Sequence, residues 1–272
     1  MSIISLLTDF GLEDPYVGIM KGVILSINPS ARLVDITHNI NPHDLIQAAF
    51  ILKSSKPYFP EGTVHMVVVD PGVGSDRAIV ALEISGQIFV APDNGVLTLI
   101  IDAGDLNRAV RVENSDYFLE KVSRTFHGRD VFAPIAAHIS MGVELNRLGT
   151  SIEKKDLVRL DIAKPFISEK QELVGSIVFI DRFGNCITDI DENHLEKFRK
   201  SGTGTGIQVI IGKTRINGLS RNYESAGPQY PLAIIGSFGH LEIAVNQGSA
   251  QQYFKVKKKD AVRVVLSPGS GR

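Results

Sequence analysis

The sequence predicts an α/β N-terminal domain with a largely parallel sheet, followed by a small all-β, barrel-like C-terminal domain. Three observations predict it. Short apolar runs alternate with helical periodicities through the first part of the chain, the βαβ pattern of a parallel sheet. After about residue 165 the texture changes to short strand-like runs separated by glycine, serine and asparagine. The 272 residues are 43% hydrophobic, which supplies apolar surface for two cores rather than one. The expected domains are 1–165 and 166–272, divided in the mixed stretch Asp161 to Lys170 that contains Pro165.

Ile3 to Leu7 reads as a buried strand. Asp14-Pro15 opens a helix, Asp as a cap and Pro preset for the first turn. Met20, Val23, Ile24 and Ile27 carry its apolar face, and Asn28-Pro29 ends it. Leu33 to Ile36 is the second strand. Pro42-His43-Asp44 leads the second helix through Leu45, Ile46, Ala49 and Leu52, and Val64 to Val69 is the third strand. Ile79 to Ile84 and Gln87 to Ala91 flank Ser85-Gly86, a hairpin turn. Helical patterns return at Gly95 to Ile101 and Val131 to Ile139. In the second domain, strands are expected at Leu173 to Ile180, Gly206 to Ile211, Leu232 to Ile235, Leu241 to Val245, Gln252 to Val256 and Ala261 to Leu266. Glu192 to Lys200 is the one helix expected there.

The net charge of −1 argues against a nucleic-acid partner, which calls for a basic excess or stripe. The basic run Lys255 to Lys259 reads as a solvated strand end. A single cysteine, Cys186, forms no internal disulfide and no thiolate-rich zinc site, so a cytoplasmic, reducing location is expected. The N-terminus lacks a positive n-region and meets an acid at Asp9, unlike a signal peptide, and no apolar run has the length of a membrane span.

The polar residues that call for explanation follow apolar strands, where open α/β sheets bind ligands. They are Thr8-Asp9-Phe10-Gly11, then Asp70-Pro71-Gly72-Val73-Gly74-Ser75-Asp76-Arg77, then Thr125-Phe126-His127-Gly128-Arg129-Asp130. Each alone is compatible with a capping acid, a glycine turn or a structural histidine. The Asp70 loop lacks a downstream Lys-Ser or Lys-Thr and is not a P-loop. Together Asp70, Arg77 and His127 suit the positioning and activation of a water. A catalytic metal is not expected. His38, His43, His65, Asp9, Asp35 and Asp70 offer donors, but no His-x-x-x-His or His-Glu-x-x-His lies on a predicted helix. In the second domain, Asp181, Phe183 and Asn185 offer a carboxylate, a ring and an amide to a cationic nucleoside. An ordinary strand-end turn is the competing reading. Ser237-Phe238-Gly239-His240 and Asn246-Gln247-Gly248 are further loop candidates.

These segments, with Asp14 and Ala91-Pro92-Asp93-Asn94-Gly95, resemble the S-adenosyl-L-methionine (SAM) hydroxide adenosyltransferases, relatives of the fluorinase and chlorinase. The matches span nearly the whole chain in the family's order. The resemblance implies a homotrimer that hydrolyses SAM to adenosine and methionine, with SAM as substrate and no cofactor. It assigns Asp70, Arg77 and His127 to the nucleophilic water, and Asp9 to the ribose hydroxyls, with Phe10 beside it. Asp14 falls near the methionine end, Asp181 at the ammonium and Asn185 at the adenine, with Phe183 between them. Ser237 falls at the carboxylate, and Asn246 and Gln247 lie in the last matching turn. Where the halogenases place an Arg beside the carboxylate, this chain has Phe238. The halide pocket has Tyr, Tyr and Ser where this chain has Asp70, His127 and Gly128. A carboxylate at Asp70 repels a halide and accepts a hydrogen bond from water, which favours hydrolysis over halogenation. A non-catalytic SAM or adenosine sensor is the alternative of another class; it needs Asp9, Asp181 and Asn185 but not the water set. Whether Asp70 takes the water's proton or orients a hydroxide held by Arg77 stays open at this level.

Overall fold

The computed structural model describes residues 2–202, 204 and 206–267. The chain divides into two compact units, Met1–Asp161 and Ile162–Arg272.

In the first unit the elements run β1 (Ile3–Thr8), α1 (Tyr16–Ile27), β2 (Arg32–Thr37), α2 (Leu45–Ser55), β3 (Val64–Val68), β4 (Ile79–Ile84), β5 (Gln87–Pro92), α3 (Thr98–Ala103), β6 (Leu106–Val112), α4 (Ala133–Ser140) and β7 (Gly149–Ser151). They form one seven-stranded sheet in the order β2-β1-β3-β5-β4-β6-β7. The pairings from β2 to β5 are parallel, and those from β5 through β4 and β6 to β7 are antiparallel. The core of the sheet is thus parallel with an antiparallel extension, built on the Ser85-Gly86 hairpin; both turn residues have positive φ, 49° and 75°.

Period-two alternation sorts the strand side chains to two faces. Ile4, Leu6, Val64, Met66 and Val68 pack with Met20 and Ile24 of α1 and with α4. Leu7, Val67 and Val69 pack with Ala48 and Leu52 of α2 and with Ile100 and Ile101 of α3. Asp44 caps α2, its carboxylate accepting the Gln47 N–H at 3.0 Å. At α1 the expected cap is not made: Pro15 occupies the cap position, no side chain bonds there, and Asp14 is exposed. α3 begins at Thr98, because Asp93 to Leu97 is spent on turning the chain out of β5.

The second unit contains β8 (Phe166–Ile167), β9 (Leu173–Ile180), β10 (Cys186–Asp191), α5 (Glu192–Ser201), β11 (Gly206–Ile211), β12 (Thr214–Asn217), β13 (Pro231–Ile235), β14 (His240–Val245), α6 (Ala250–Phe254) and β15 (Ala261–Ser267). Its sheet is antiparallel, in the order β12-β11-β15-β9-β10-β14-β13, with β8 on β9. A bridge between Ser220 and Ile234 draws the β12 end toward β13, so the sheet curls into a nearly closed barrel. Its interior is filled by Ile177, Val209, Ile243 and Val264 among others. Asp191 and His194 cap α5 reciprocally, and Leu195 and Phe198 face the core.

The strand expected at Gln252 to Val256 is instead the one-turn helix α6. Ser249 caps it through Gln252 N–H, Lys255 ends it in a left-handed conformation (φ 55°), and Ala250 and Phe254 reach the barrel core. The basic run Lys255 to Lys259 is accordingly the turn between α6 and β15 rather than a strand end. No helix among the described residues is long and apolar enough to cross a membrane.

Candidate active site

β1 is followed by β2 on one side and neighbours β3 on the other, so strand order reverses between β1 and β3. Ligands of open α/β sheets bind beyond the carboxyl ends of strands at such a switch point. Asp9 follows β1 there, and Asp70 follows β3.

Asp70 and Arg77 stand at the two ends of the loop joining β3 to β4. Arg77 Nε donates to both Asp70 oxygens at 2.9 Å, and Nη2 donates to Oδ2 at 2.5 Å. Nη2 also donates to His127 Nδ1 at 2.9 Å. That bond needs an unprotonated Nδ1, so the ring is neutral with its proton on Nε2. The side chains of Arg77 and Asp70 are 10% and 5% exposed. Phe132 lies under the guanidinium, 5.7 Å from ring centre to Cζ. Burial first, and then the Arg77 charge, hold the His127 pKa below its ordinary value; the charges of Asp70 and Asp130 and a backbone hydrogen bond at Ser123 oppose them. The ion pair and its histidine are thus a preorganised polar cluster with an Arg fork at its centre.

The loops are fitted to one another. Gly74 has φ +78°, and a Cβ there would stand 2.3 Å from the Arg124 carbonyl, so the Asp70 loop meets the His127 loop backbone to backbone. A Cβ on Gly128 would stand 2.8 Å from Met20 Sδ and 3.2 Å from the Phe126 ring, so a side chain here would have to shift the Met20 thioether and press on the ring. His127 precedes a single π turn, Gly128–Phe132, which runs into α4. Such turns recur at functional sites. The turn is anchored by Asp130, whose fully buried carboxylate accepts from Ser123 N–H at 2.7 Å and Arg129 Nε at 2.5 Å. Burial alone would raise the Asp130 pKa, but the bonds from Arg129 and Ser123 bring it below the ordinary carboxylate range.

Asp9 is held by the His43 backbone N–H, 2.9 Å from Oδ2, with the imidazole Nδ1 at 3.9 Å. His43 has φ 65°, which turns its N–H toward the acid. Phe10 packs with Tyr16 and Phe126 in an aromatic cluster, ring centres 5.1 to 6.0 Å apart. Asp14 lies exposed ahead of α1. Tyr16 carries no signal in the sequence; Phe126 and Asp130 stand there only as members of the His127 motif, and His43 only as a helix start and a candidate metal donor, not as the backbone partner of Asp9.

In the second unit, the Asp181 carboxylate binds its own turn. Oδ1 accepts from the N–H groups of Phe183 and Asn185 at 2.9 Å each, and Oδ2 accepts from Asn185 Nδ2 at 3.0 Å. Asn185 is buried, whereas the Phe183 ring is 77% exposed. Gly184 C=O accepts the Gln251 N–H of α6 at 2.9 Å, which joins this turn to the segment after Asn246 and Gln247. Asn246 Nδ2 donates to Ala226 C=O at 2.7 Å, and Gln247, at φ 56°, accepts from Gln229 Nε2 at 2.6 Å. These two residues fasten the 226–229 loop. Ser237 and Phe238 form the β13–β14 turn, with the Phe238 ring 6.4 Å from Phe179.

No group of three or more His, Cys, Asp or Glu among the described residues is arranged to hold a metal ion. His38 bonds Thr8 at 2.8 Å and His65 bonds Ser5 at 2.6 Å, so both serve the sheet.

A (R)-S-adenosyl-L-methionine hydrolase from Thermus thermophilus is 37% identical over 266 residues, covering 95% of this chain and 98% of that protein. A fluorinase from Nocardia brasiliensis is 30% identical, covering 96% of each. The crystal structure of an uncharacterized conserved protein from Thermotoga maritima superposes with a TM-score of 0.88 at 37% identity, covering 96% of this chain and 99% of that one. The SAM hydroxide adenosyltransferase N-terminal domain matches residues 4–149, and the C-terminal domain of the same family matches residues 175–263. With both domains matched in order, the chain belongs to the SAM hydroxide adenosyltransferase family.

Proposed function

We propose that the protein hydrolyses SAM to adenosine and L-methionine by in-line attack of water or hydroxide on the ribose 5′ carbon. The observation that carries the proposal is the Arg77 fork between Asp70 and His127 at the switch point of the sheet. The new C–O bond forms as the C–S bond breaks. Methionine leaves as a neutral thioether with the electron pair, so no general acid is needed, and the proton of the attacking water passes to solvent. Positioning supplies the catalysis. Both Asp70 oxygens already accept from Arg77, so their remaining lone pairs orient the nucleophile, and the Arg77 charge stabilises its hydroxide character. A halide at this position would face the Asp70 carboxylate, which supports hydrolysis over halogenation.

The binding roles of Asp9, Phe10, Asp14, Asp181, Phe183, Asn185, Ser237, Phe238, Asn246 and Gln247 belong to the same proposal. So do a homotrimeric state, a cytoplasmic location and the need for no cofactor. The Thermus thermophilus hydrolase named above carries (R) in its name, which supports that epimer as the first substrate to assay.

Asp70→Asn tests the reading. Binding of SAM should survive while adenosine formation falls roughly a hundredfold or more, the scale of losing a charge that acts in the transition state. Unchanged turnover would remove Asp70 from the mechanism.

A further inference from the structure

The motif Ala91-Pro92-Asp93-Asn94-Gly95 takes no part in the chemistry above, yet it touches both stems of the loop that carries Asp70 and Arg77. Asn94 Nδ2 donates to the C=O of Val69, the residue before Asp70, at 2.9 Å. The Asp93 N–H donates to the C=O of Ala78, the residue after Arg77, at 2.9 Å. The β3–β5 ladder stops at Met66 and Val90, and the β4–β5 ladder stops at Ile79 and Pro92. Beyond those points these two bonds carry the reach of β5 on to the loop stems. Asn94 is itself fixed: its Oδ1 accepts the Val96 N–H at 3.2 Å, and its own N–H bonds Pro92 C=O at 2.9 Å. A short side chain that donates to one backbone group and accepts from another is met by an amide and not by a carboxylate. The Asp93 carboxylate accepts the Val158 N–H at 3.0 Å, and Thr98 Oγ1 accepts the Leu160 N–H at 2.8 Å. The same turn thereby holds the segment that ends the first unit.

We propose that Asn94 is a positioning residue for the hydrolysis: with the Asp93 backbone it sets the separation of the two loop stems, and through them the Asp70–Arg77 fork that meets His127. The proposal rests on the reading of that triad as the catalytic group. The amide acts through the backbone and touches neither substrate nor nucleophile.

The test uses the full-length chain with Asn94→Ala and Asn94→Asp. The aspartate keeps the acceptor for Val96 and turns the donor facing Val69 into a second acceptor. Both variants should lower kcat roughly tenfold or more with KM within about twofold, because alignment rather than binding is lost. The acid limb of kcat, governed by His127 among Arg77, Asp70 and Asp130, should move to higher pH as Arg77 is held less closely. Ser5→Ala is the control for stability alone, since it removes a buried bond to His65 at the other end of β1 and β3. It should lower the thermal midpoint and leave kcat and the acid limb in place. Asn94 variants with kcat within twofold of wild type, an unmoved acid limb, or the same loss in Ser5→Ala at equal thermal midpoint would each overturn the proposal. Wild type and Asp70→Asn are assayed alongside. An active wild type with an inactive Asp70→Asn upholds the triad whatever the Asn94 variants do, so the two ideas fail separately.

Discussion

Arg77 holds Asp70 by two nitrogens: Nε lies 2.9 Å from each carboxylate oxygen, and Nη2 lies 2.5 Å from Oδ2. The same Nη2 spends its other hydrogen on His127 Nδ1. The guanidinium therefore fixes the carboxylate and the imidazole at once, and the pair Nη1–H₂ stays outside the triad's own bonds. A planar fork can do this; a point charge on a flexible stem cannot.

Arg77→Lys should consequently be far from conservative. An ammonium keeps the charge but cannot reproduce three N–H groups of one plane aimed at two partners, so kcat should fall roughly a hundredfold or more with SAM binding largely kept. Steady-state kinetics with direct measurement of SAM binding checks this. A lysine variant with near-wild-type kcat would show that charge alone suffices.

The pH profile follows from His127. Its pKa is lowered first by burial and then by the Arg77 charge, so the ring stays neutral, and able to accept from Arg77, to below its ordinary value near 6.5. As pH falls, activity should hold through 6.5 and decline only at lower pH. His127→Gln, which has no such titration, should lose that acid limb along with most of its rate.

Asp130 anchors the turn that presents His127. Its carboxylate is fully buried and bonded to Ser123 N–H and Arg129. Asp130→Asn removes the charge and one acceptor, and should destabilise the fold by about 1–3 kcal/mol. Urea unfolding measures this, and a change below a few tenths would mean that the turn is held by packing alone.

The elements that the sequence announced were those whose signals are local. The strands β1 to β5 carry short, mostly apolar runs, Asp44 sits at a real helix start, and Ser85-Gly86 is a turn that needs positive φ. The local pattern misled where tertiary contact decides. Tyr253-Phe254 has strand composition, yet the Ser249 cap and the pull of Phe254 into the barrel make it helix. Cys186–Asp191 shows no strand pattern because its buried positions include Thr188 and Asp189, whose side chains are satisfied by Leu241 C=O and Ser176 only in the folded sheet. At the site, Asp70 and Arg77 were legible as one loop. Their meeting with His127, fifty residues on, depends on backbone contacts such as Gly74 against Arg124 that no periodicity records. His43 acts on Asp9 through its backbone N–H, which any side-chain pattern would miss.

His65 gives a separate test of the sheet. It is fully buried between Ser5 and Gln87 and stacked on Phe89, 4.7 Å between ring centres. Burial pushes its pKa down to about 4. Above pH 6.5 both folded and unfolded chains carry it neutral, and it adds no pH dependence. Between 6.5 and about 4 only the unfolded chain gains the proton, so stability falls, and below about 4 the effect levels off. The loss across that window should approach about 3 kcal/mol. Chemical denaturation from pH 7 to 4 measures it, and His65→Gln should flatten that part of the curve. A wild-type curve already flat there would contradict a buried neutral His65.

Incubation of the protein with SAM in ¹⁸O-enriched water tests the central claim most directly. Attack by water held at the Arg77 fork predicts adenosine carrying one ¹⁸O at the 5′ oxygen, unlabelled methionine, and loss of both products in Asp70→Asn. Adenosine without label, or labelled adenosine formed equally well by Asp70→Asn, would contradict it.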